Sequence, residues 1–282
     1  MKKIAWITDS SAYVPESMKT HENLFIIPMN ISFEEDIYQD GIDLTSTQLY
    51  EKIEKSKQIP KTSQPAISYF IDLYKKLKED YDEAIAVHLS SDLSGTYQTS
   101  CLAAEMAEFP VEVVDSKILS YPMTMMIEKG MELHTSGLCG KEIAKILRME
   151  HKRFHNYILV GRLEQLYKGG RINGVQKAIG TLLKIHPILQ VKNGTAHLFG
   201  KFRTKKRALN TILKQFEQEK KQNIIKNVQI LHADVLNEAK ELKEKLMTQY
   251  KDIDVLIGPL SPTIGVHGGK GSMVLAWSVE KG

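Results

Sequence analysis

The sequence predicts an α/β protein of two domains: an N-terminal Rossmann-like parallel-sheet domain over 1–160, with a small hairpin insertion near 24–58, and a C-terminal two-layer α/β domain over 161–282. Two observations carry that reading. Short apolar clusters alternate with longer amphipathic stretches along the chain, as strand and helix do when they take turns across a sheet. The 282 residues also suffice for two cores at about 150 residues each.

Taken in order, 4–8 is the first strand, and the alternating run 26–33 leads through Glu34-Glu35-Asp36 to Ile37-Tyr38 as a hairpin excursion. Helical periodicity follows at 46–55 and at 66–78, the latter behind Pro65, whose fixed φ suits a first helical turn. Strand 84–89, helix 96–106 and strand 111–114 complete a βαβ rhythm, which pairs strands in parallel. A basic amphipathic helix over 141–154 and a short strand over 157–160 reach Gly161-Arg162, where the domain changes. Beyond lie a helix over 175–183 and a hairpin over 188–199 turned by Asn193-Gly194. Helices over 205–220 and 237–250 alternate with strands over 228–231 and 255–257.

Composition excludes several classes. Lysine plus arginine (38) against aspartate plus glutamate (34) leaves a charge of +4, far short of a dedicated nucleic-acid binder. Cys101 and Cys139 have neither CxxC nor metal-ligand spacing, which fits a reducing cytoplasm and no structural zinc. The basic-then-apolar start is cut short by Asp9, and no later stretch reaches the roughly 18 apolar residues of a membrane span. The expectation is a soluble cytoplasmic protein without stable membrane insertion.

The chemistry concentrates in hydroxyl-rich turns: Thr8-Asp9-Ser10-Ser11, Thr62-Ser63-Gln64-Pro65, Ser90-Ser91-Asp92-Leu93-Ser94-Gly95-Thr96 and Asp115-Ser116. In an open parallel sheet the ligand crevice lies beyond the carboxyl ends of the strands, so the first, third and fourth turns should converge. Hydroxyls and free N–H groups make a neutral surface for a carboxylate or phosphate, although the same residues serve as helix caps. A serine hydrolase is disfavoured: Leu93-Ser94-Gly95 lacks the elbow's preceding glycine, and no histidine is paired in sequence with an orienting carboxylate. Gly268-Gly269-Lys270-Gly271-Ser272 is too short for a phosphate loop. Arg171 and Arg203 can fork onto an anion, and His267 closes the apolar run Ile264-Gly265-Val266.

Together these residues resemble the DegV family, the bacterial fatty-acid-binding proteins. The resemblance rests on Ile7-Thr8-Asp9-Ser10-Ser11-Ala12 with Pro15, Thr62-Ser63-Gln64-Pro65, and Ser90-Ser91 through Leu93-Ser94-Gly95-Thr96-Tyr97-Gln98. It continues through Val114-Asp115-Ser116, Gly169-Gly170-Arg171-Ile172, Lys184-Ile185-His186-Pro187-Ile188-Leu189 and His267 with Gly269 and Gly271. It departs where His267-Gly268-Gly269-Lys270-Gly271 replaces the usual His-Thr-Gly-Pro-Gly, and where Ser120-Tyr121-Pro122-Met123-Thr124-Met125 replaces small residues.

The resemblance implies a carrier without catalysis of its own, holding a long-chain fatty acid such as palmitate and no cofactor or metal. Its carboxylate would rest on Thr62 and Ser94, beside Ser63, Gly95, Thr96 and Ser10, with Arg203, His267 and Gly268 completing the head-group network. An apolar tunnel lined by residues such as Ile26, Met29, Phe33, Leu93, Met123 and Leu166 would take the tail. A separate fatty acid kinase subunit, met by Arg171 and its basic neighbours, would phosphorylate the carboxyl. Read without the resemblance, the residues also admit a phosphotransferase or hydrolase that uses Asp9, Asp115 and the glycine-rich turns on a phosphorylated metabolite, or a lipid-sensing regulatory module.

Overall fold

The computed structural model describes residues 2–56, 58–171 and 185–280. The helix expected over 175–183 lies outside the described residues. Packing divides the chain into two compact units, one of Met1–Leu44, Lys61–Lys152 and Asn193–Thr195, the other of Thr45–Pro60, Arg153–Lys192 and Ala196–Gly282. The sequence reading puts the domain change at 160/161; here the division falls at 152/153, and 45–60 groups with the second unit.

In chain order the elements begin with β1 (Ile4–Asp9), α1 (Glu16–Lys19), β2 (Leu24–Ile27), β3 (Asn30–Phe33), β4 (Asp36–Gln39), α2 (Ser46–Lys55), β5 (Lys61–Ser63) and α3 (Ile67–Asp80). They continue with β6 (Glu83–His88), α4 (Thr96–Ala107), β7 (Val111–Asp115), α5 (Tyr121–Thr135) and α6 (Gly140–Glu150). The first unit is built on a four-stranded sheet in the order β2-β1-β6-β7, every pairing parallel. All six residues of β1 are buried, as in a sheet covered on both faces. On one face Ala5, Ala84 and Ala86 leave room for Phe70, Tyr74 and Leu77 of α3 and for Ala103, Ala104 and Ala107 of α4. Helices α5 and α6 lie against β6 and β7, contributing buried Met123, Met126, Ile127, Ile143 and Leu147.

The expected run 26–33 is not one strand. Pro28 has no N–H to give a ladder and a fixed φ, and the chain breaks there: β2 ends at Ile27 and joins the parallel sheet, while β3 turns back on β4 as the antiparallel hairpin. Strand β5 pairs with the free side of β3, so Thr62 and Ser63 lie in a strand rather than in a turn.

The second unit adds β8 (Phe154–Leu159), α7 (Leu163–Lys168), β9 (His186–Lys192), β10 (Thr195–Phe202), α8 (Lys205–Lys220), β11 (Asn227–His232), α9 (Leu236–Gln249), β12 (Asp254–Pro259), α10 (Pro262–Gly268) and β13 (Met273–Ser278). Its sheet runs β10-β9-β8-β13-β11-β12 and is mixed: β11 and β12 are parallel, whereas β8 pairs antiparallel with β9 and β13. Ala208, Ile212 and Phe216 of α8 and Ala239, Leu242 and Leu246 of α9 cover one face. Trp277 centres that core, fully buried, with Phe216 edge-on at 5.2 Å and Tyr157 stacked at 5.4 Å. Leu166 of α7 packs with Val160 and Leu189 in a smaller cluster. The segment holding α2 belongs to this unit through Ser46, whose hydroxyl donates to the Leu260 carbonyl at 2.7 Å, and Glu54, which pairs with Lys270 at 2.7 Å. Among the described residues no helix is long and apolar enough to cross a membrane.

Candidate functional site

The parallel strands β1, β6 and β7 end along one edge, and their last residues fix the turns that follow. Asp9, fully buried at the end of β1, accepts from Leu89 N at 2.9 Å and from Ser11 N at 3.1 Å, and Ser11 Oγ donates to the same carboxylate. His88 Nδ1 stands 3.1 Å from Asp9 Oδ2, and its Nε2 2.9 Å from Ser100 Oγ, which lies 2.5 Å from Tyr74 OH. The fold thus supplies the carboxylate–histidine pairing that the sequence does not display. It makes no accessible triad, because Asp9, His88 and Ser100 have no exposed surface. Burial would raise the Asp9 pKa, but the hydrogen bond and attraction of His88, with Ser11 and Leu89, outweigh it and hold the carboxyl below its ordinary value.

Asp115, at the end of β7, is engaged in the same way. It accepts from Ser91 N at 3.2 Å and Lys117 N at 3.1 Å, receives the Ser91 hydroxyl, and pairs with Lys117 Nζ at 2.8 Å. Burial again pushes its pKa up and these partners bring it lower on balance. The two aspartates of the enzyme reading are therefore tied to the scaffold, each with both oxygens hydrogen-bonded.

The expected hydroxyls of the first unit come together through a chain of contacts. Ser10 Oγ accepts from Met29 N at 3.0 Å, and the sulfur of Met29 receives Thr96 Oγ1 at 3.3 Å. Thr96 Oγ1 lies 2.8 Å from Ser94 Oγ, which also accepts from Thr96 N at 3.4 Å at the start of α4. Gly95 caps that helix with Gln64 against it: a Cβ there would sit 2.4 Å from Gln64 Oε1. Gln64 Nε2 donates to Thr99 Oγ1 at 3.1 Å, and the Gln64 carbonyl accepts from Asn30 Nδ2 at 3.4 Å. Gln64 therefore joins the strand of Thr62 and Ser63 to the turn of Ser94, Gly95 and Thr96. Thr62 is buried opposite Ile31, and Ser63 is exposed opposite Asn30. Met123 Sδ lies 3.7 Å from Ser11 Oγ, so buried methionines flank the hydroxyls on both sides. Ser90, by contrast, turns its hydroxyl to the Gly194 carbonyl at 2.8 Å.

Arg203, His267 and Gly268 belong to the second unit. Arg203 is exposed where β10 meets α8. His267 is half-buried in the last turn of α10; desolvation takes its pKa from 6.5 down to about 4, and the positive charge of Arg171 acts in the same direction, so the imidazole is neutral at pH 7. The Gly268 carbonyl accepts from Arg162 N at 3.1 Å, Gly161 N at 3.3 Å and Ser272 Oγ at 2.7 Å, binding the strand end at β8 to the loop after α10. Lys270 reaches Glu54 at 2.7 Å and Asp234 at 2.9 Å. The sequence pattern did not single out Gln64, which is visible there only as part of the Thr62-Ser63-Gln64-Pro65 motif.

A family model described as uncharacterised protein, DegV family, matches residues 3–280. The chain belongs to the DegV family. A DegV domain-containing protein of Halalkalibacterium halodurans is 34% identical over the full length of both chains. Among solved structures, that of DegV from Bacillus subtilis, described as a fatty acid binding protein, superposes with a TM-score of 0.90 at 32% identity, covering 99% of this chain and 100% of its own. A DegV family protein from Thermus thermophilus, described by its fatty acid binding, gives 0.89 at 28% identity, over 98% and 99% of the two chains. The DegV chain here shares their architecture of one parallel-sheet unit and one mixed-sheet unit.

Proposed function

We propose that this chain is a carrier that binds one long-chain fatty acid and performs no chemistry on it. The carboxylate rests on the hydroxyls of Thr62 and Ser94, with Ser10, Ser63, Gly95 and Thr96 around them. Arg203, His267 and Gly268 also serve head-group binding. The observation that carries this reading is the contact chain Ser10–Met29–Thr96–Ser94, which sets hydroxyls directly against buried thioether surface. A buried carboxylate is costly unless its oxygens are hydrogen-bonded, and an acyl tail needs apolar wall beside that head; hydroxyls against methionine offer both. Membership of the DegV family, with relatives described as fatty acid binding, supports the same ligand.

Presentation of the bound acid to a separate fatty acid kinase, in the cytoplasm, is the finer part of the proposal and rests on the family resemblance. Denaturing solvent extraction of the purified chain, followed by mass spectrometry of the released molecules, tests the ligand. One stoichiometric fatty acid is the expected result. A chain that is empty, takes up no added palmitate and retains a phosphorylated metabolite overturns it in favour of a small-molecule enzyme.

A further inference from the structure

Lys205, Lys206 and Arg207 fill the first turn of α8, where no acidic residue stands. The first turn of a helix carries the positive pole of its dipole, so carboxylates are favoured there and cations are not. Glu238 of α9 pairs with Lys205. Among the described residues no ion pair answers Lys206 or Arg207.

Arg207 lines a groove of about 610 Å³ between α8 and α9, wholly within the second unit. Asn210, Thr211 and Lys214 continue its α8 side, at the spacing of a single stripe along a helix. Arg207 and Lys214, seven positions apart, therefore stand about 10 Å from one another along the helix axis. Lys245 and Gln249, one turn apart, form the α9 side. Lys214 and Lys245 are exposed and, like Arg207, have no ion pair among the described residues. Glu217 is the carboxylate among the lining residues, and Lys221 already holds it at 2.9 Å. Phe202, Leu213 and Tyr250 are half-buried against the core of this unit and give the groove apolar surface.

Three cations beside apolar surface, with no carboxylate left over to answer them, are complementary to an acidic amphipathic surface. A nucleic-acid strand fits less well. Glu241 lies one turn before Lys245 on the same stripe of α9 and interrupts the positive charge that a run of phosphates would follow. A small free anion would leave the apolar part of the groove in water. A helix matches both features: side chains seven positions apart repeat at the spacing of Arg207 and Lys214, and those between them reach Leu213.

We propose that the α8–α9 groove docks an acidic amphipathic helix of a partner protein, with carboxylates seven positions apart on Arg207 and Lys214 and apolar side chains on Leu213. The proposal does not depend on the fatty-acid reading.

The probe is a synthetic alanine-based helix of about four turns, bearing two glutamates seven positions apart with two leucines between them. Its control has glutamines in place of the glutamates. The full chain should bind the glutamate peptide with a sub-millimolar Kd, about tenfold more tightly than the control, and lose that preference at 1 M salt. Amide resonances of Asn210, Thr211 and Gln249 should shift on binding. The triple variant Arg207→Ala, Lys214→Ala, Lys245→Ala should bind about tenfold more weakly, with palmitate uptake unchanged and a melting temperature no lower than the parent's. Arg207→Glu with Lys214→Glu should instead prefer a peptide carrying two lysines in place of the glutamates. No binding of the glutamate peptide at about 1 mM, or a triple variant within about twofold of the parent, overturns the proposal. So does tighter binding of a single-stranded oligonucleotide than of the peptide, or self-association of the parent that the triple variant loses.

Discussion

His88 Nδ1 lies 3.1 Å from Asp9 Oδ2, two fully buried groups at the carboxyl ends of neighbouring parallel strands. The pair ties the turn after β1 to the turn after β6, because the same Asp9 oxygen also takes the Leu89 N–H at 2.9 Å. These two turns carry Ser10 and Ser94, so the Asp9–His88 contact ties together the two segments that present the hydroxyls.

The Asp9 pKa is lowered in the folded protein from its ordinary 3.8. A depressed carboxylate contributes stability that is fully present above the ordinary pKa and is lost as pH falls through the folded value. The melting temperature should therefore fall steeply in acid, below about pH 4. Asp9→Asn should flatten that dependence and lower stability at neutral pH, because one of the two oxygens that accept from Ser11, Leu89 and His88 becomes an NH2 group. Thermal melts of the two proteins across pH 3 to 7 check this; parallel curves would show that Asp9 does not govern the acid limb.

Thr62→Ala and Ser94→Ala should each weaken palmitate binding by about 0.5 to 1.5 kcal/mol, or up to about 3 where the carboxylate is charged. The double variant should lose more than either alone. Isothermal titration gives the three values, and an unchanged affinity in the double variant removes the pair from the site.

Gly95 has an ordinary φ of −76°, so Gly95→Ala strains no backbone. Its methyl displaces Gln64 instead, and with it the bond from Nε2 to Thr99 that joins the 62–64 strand to α4. Palmitate affinity should fall more than stability does, by a measured affinity loss set against a stability change of no more than about 1 kcal/mol. The reverse order would mean that Gln64 serves the fold and not the site.

Lys270 pairs with Glu54 and Asp234, all three partly exposed. Lys270→Met should cost less than about 1 kcal/mol at low salt, since surface pairs are screened and entropically costly. The difference from the parent should vanish at 1 M salt in denaturant titrations. A larger, salt-insensitive loss would show that the loop after α10 depends on the lysine for packing.

The order of strands and helices was legible because it is written in local pattern: short apolar runs along β1 and β6, a period of 3.6 along α3, α8 and α9. Asn193-Gly194 announced its hairpin, and the hydroxyl motifs announced the family, since each is a short run of fixed chemistry. Pro28, equally local, was visible, but its effect was not: a break in one apolar run decides which sheet each half joins, and only the partner strands settle that.

What the sequence by itself determined is therefore the α/β class, the family and the identity of the hydroxyl-bearing turns. The tertiary structure alone decided the pairing of Asp9 with His88, which are 79 residues apart and meet because the β1–β6 register sets Thr8 opposite Val87. It alone placed 45–60 with the second unit and linked Gln64, next to the Thr62-Ser63 strand, to Thr99 of α4. The physical reason is one of range. Backbone propensity and side-chain period act over a few residues, whereas register, burial and polar satisfaction are settled by the summed packing of segments far apart in the chain.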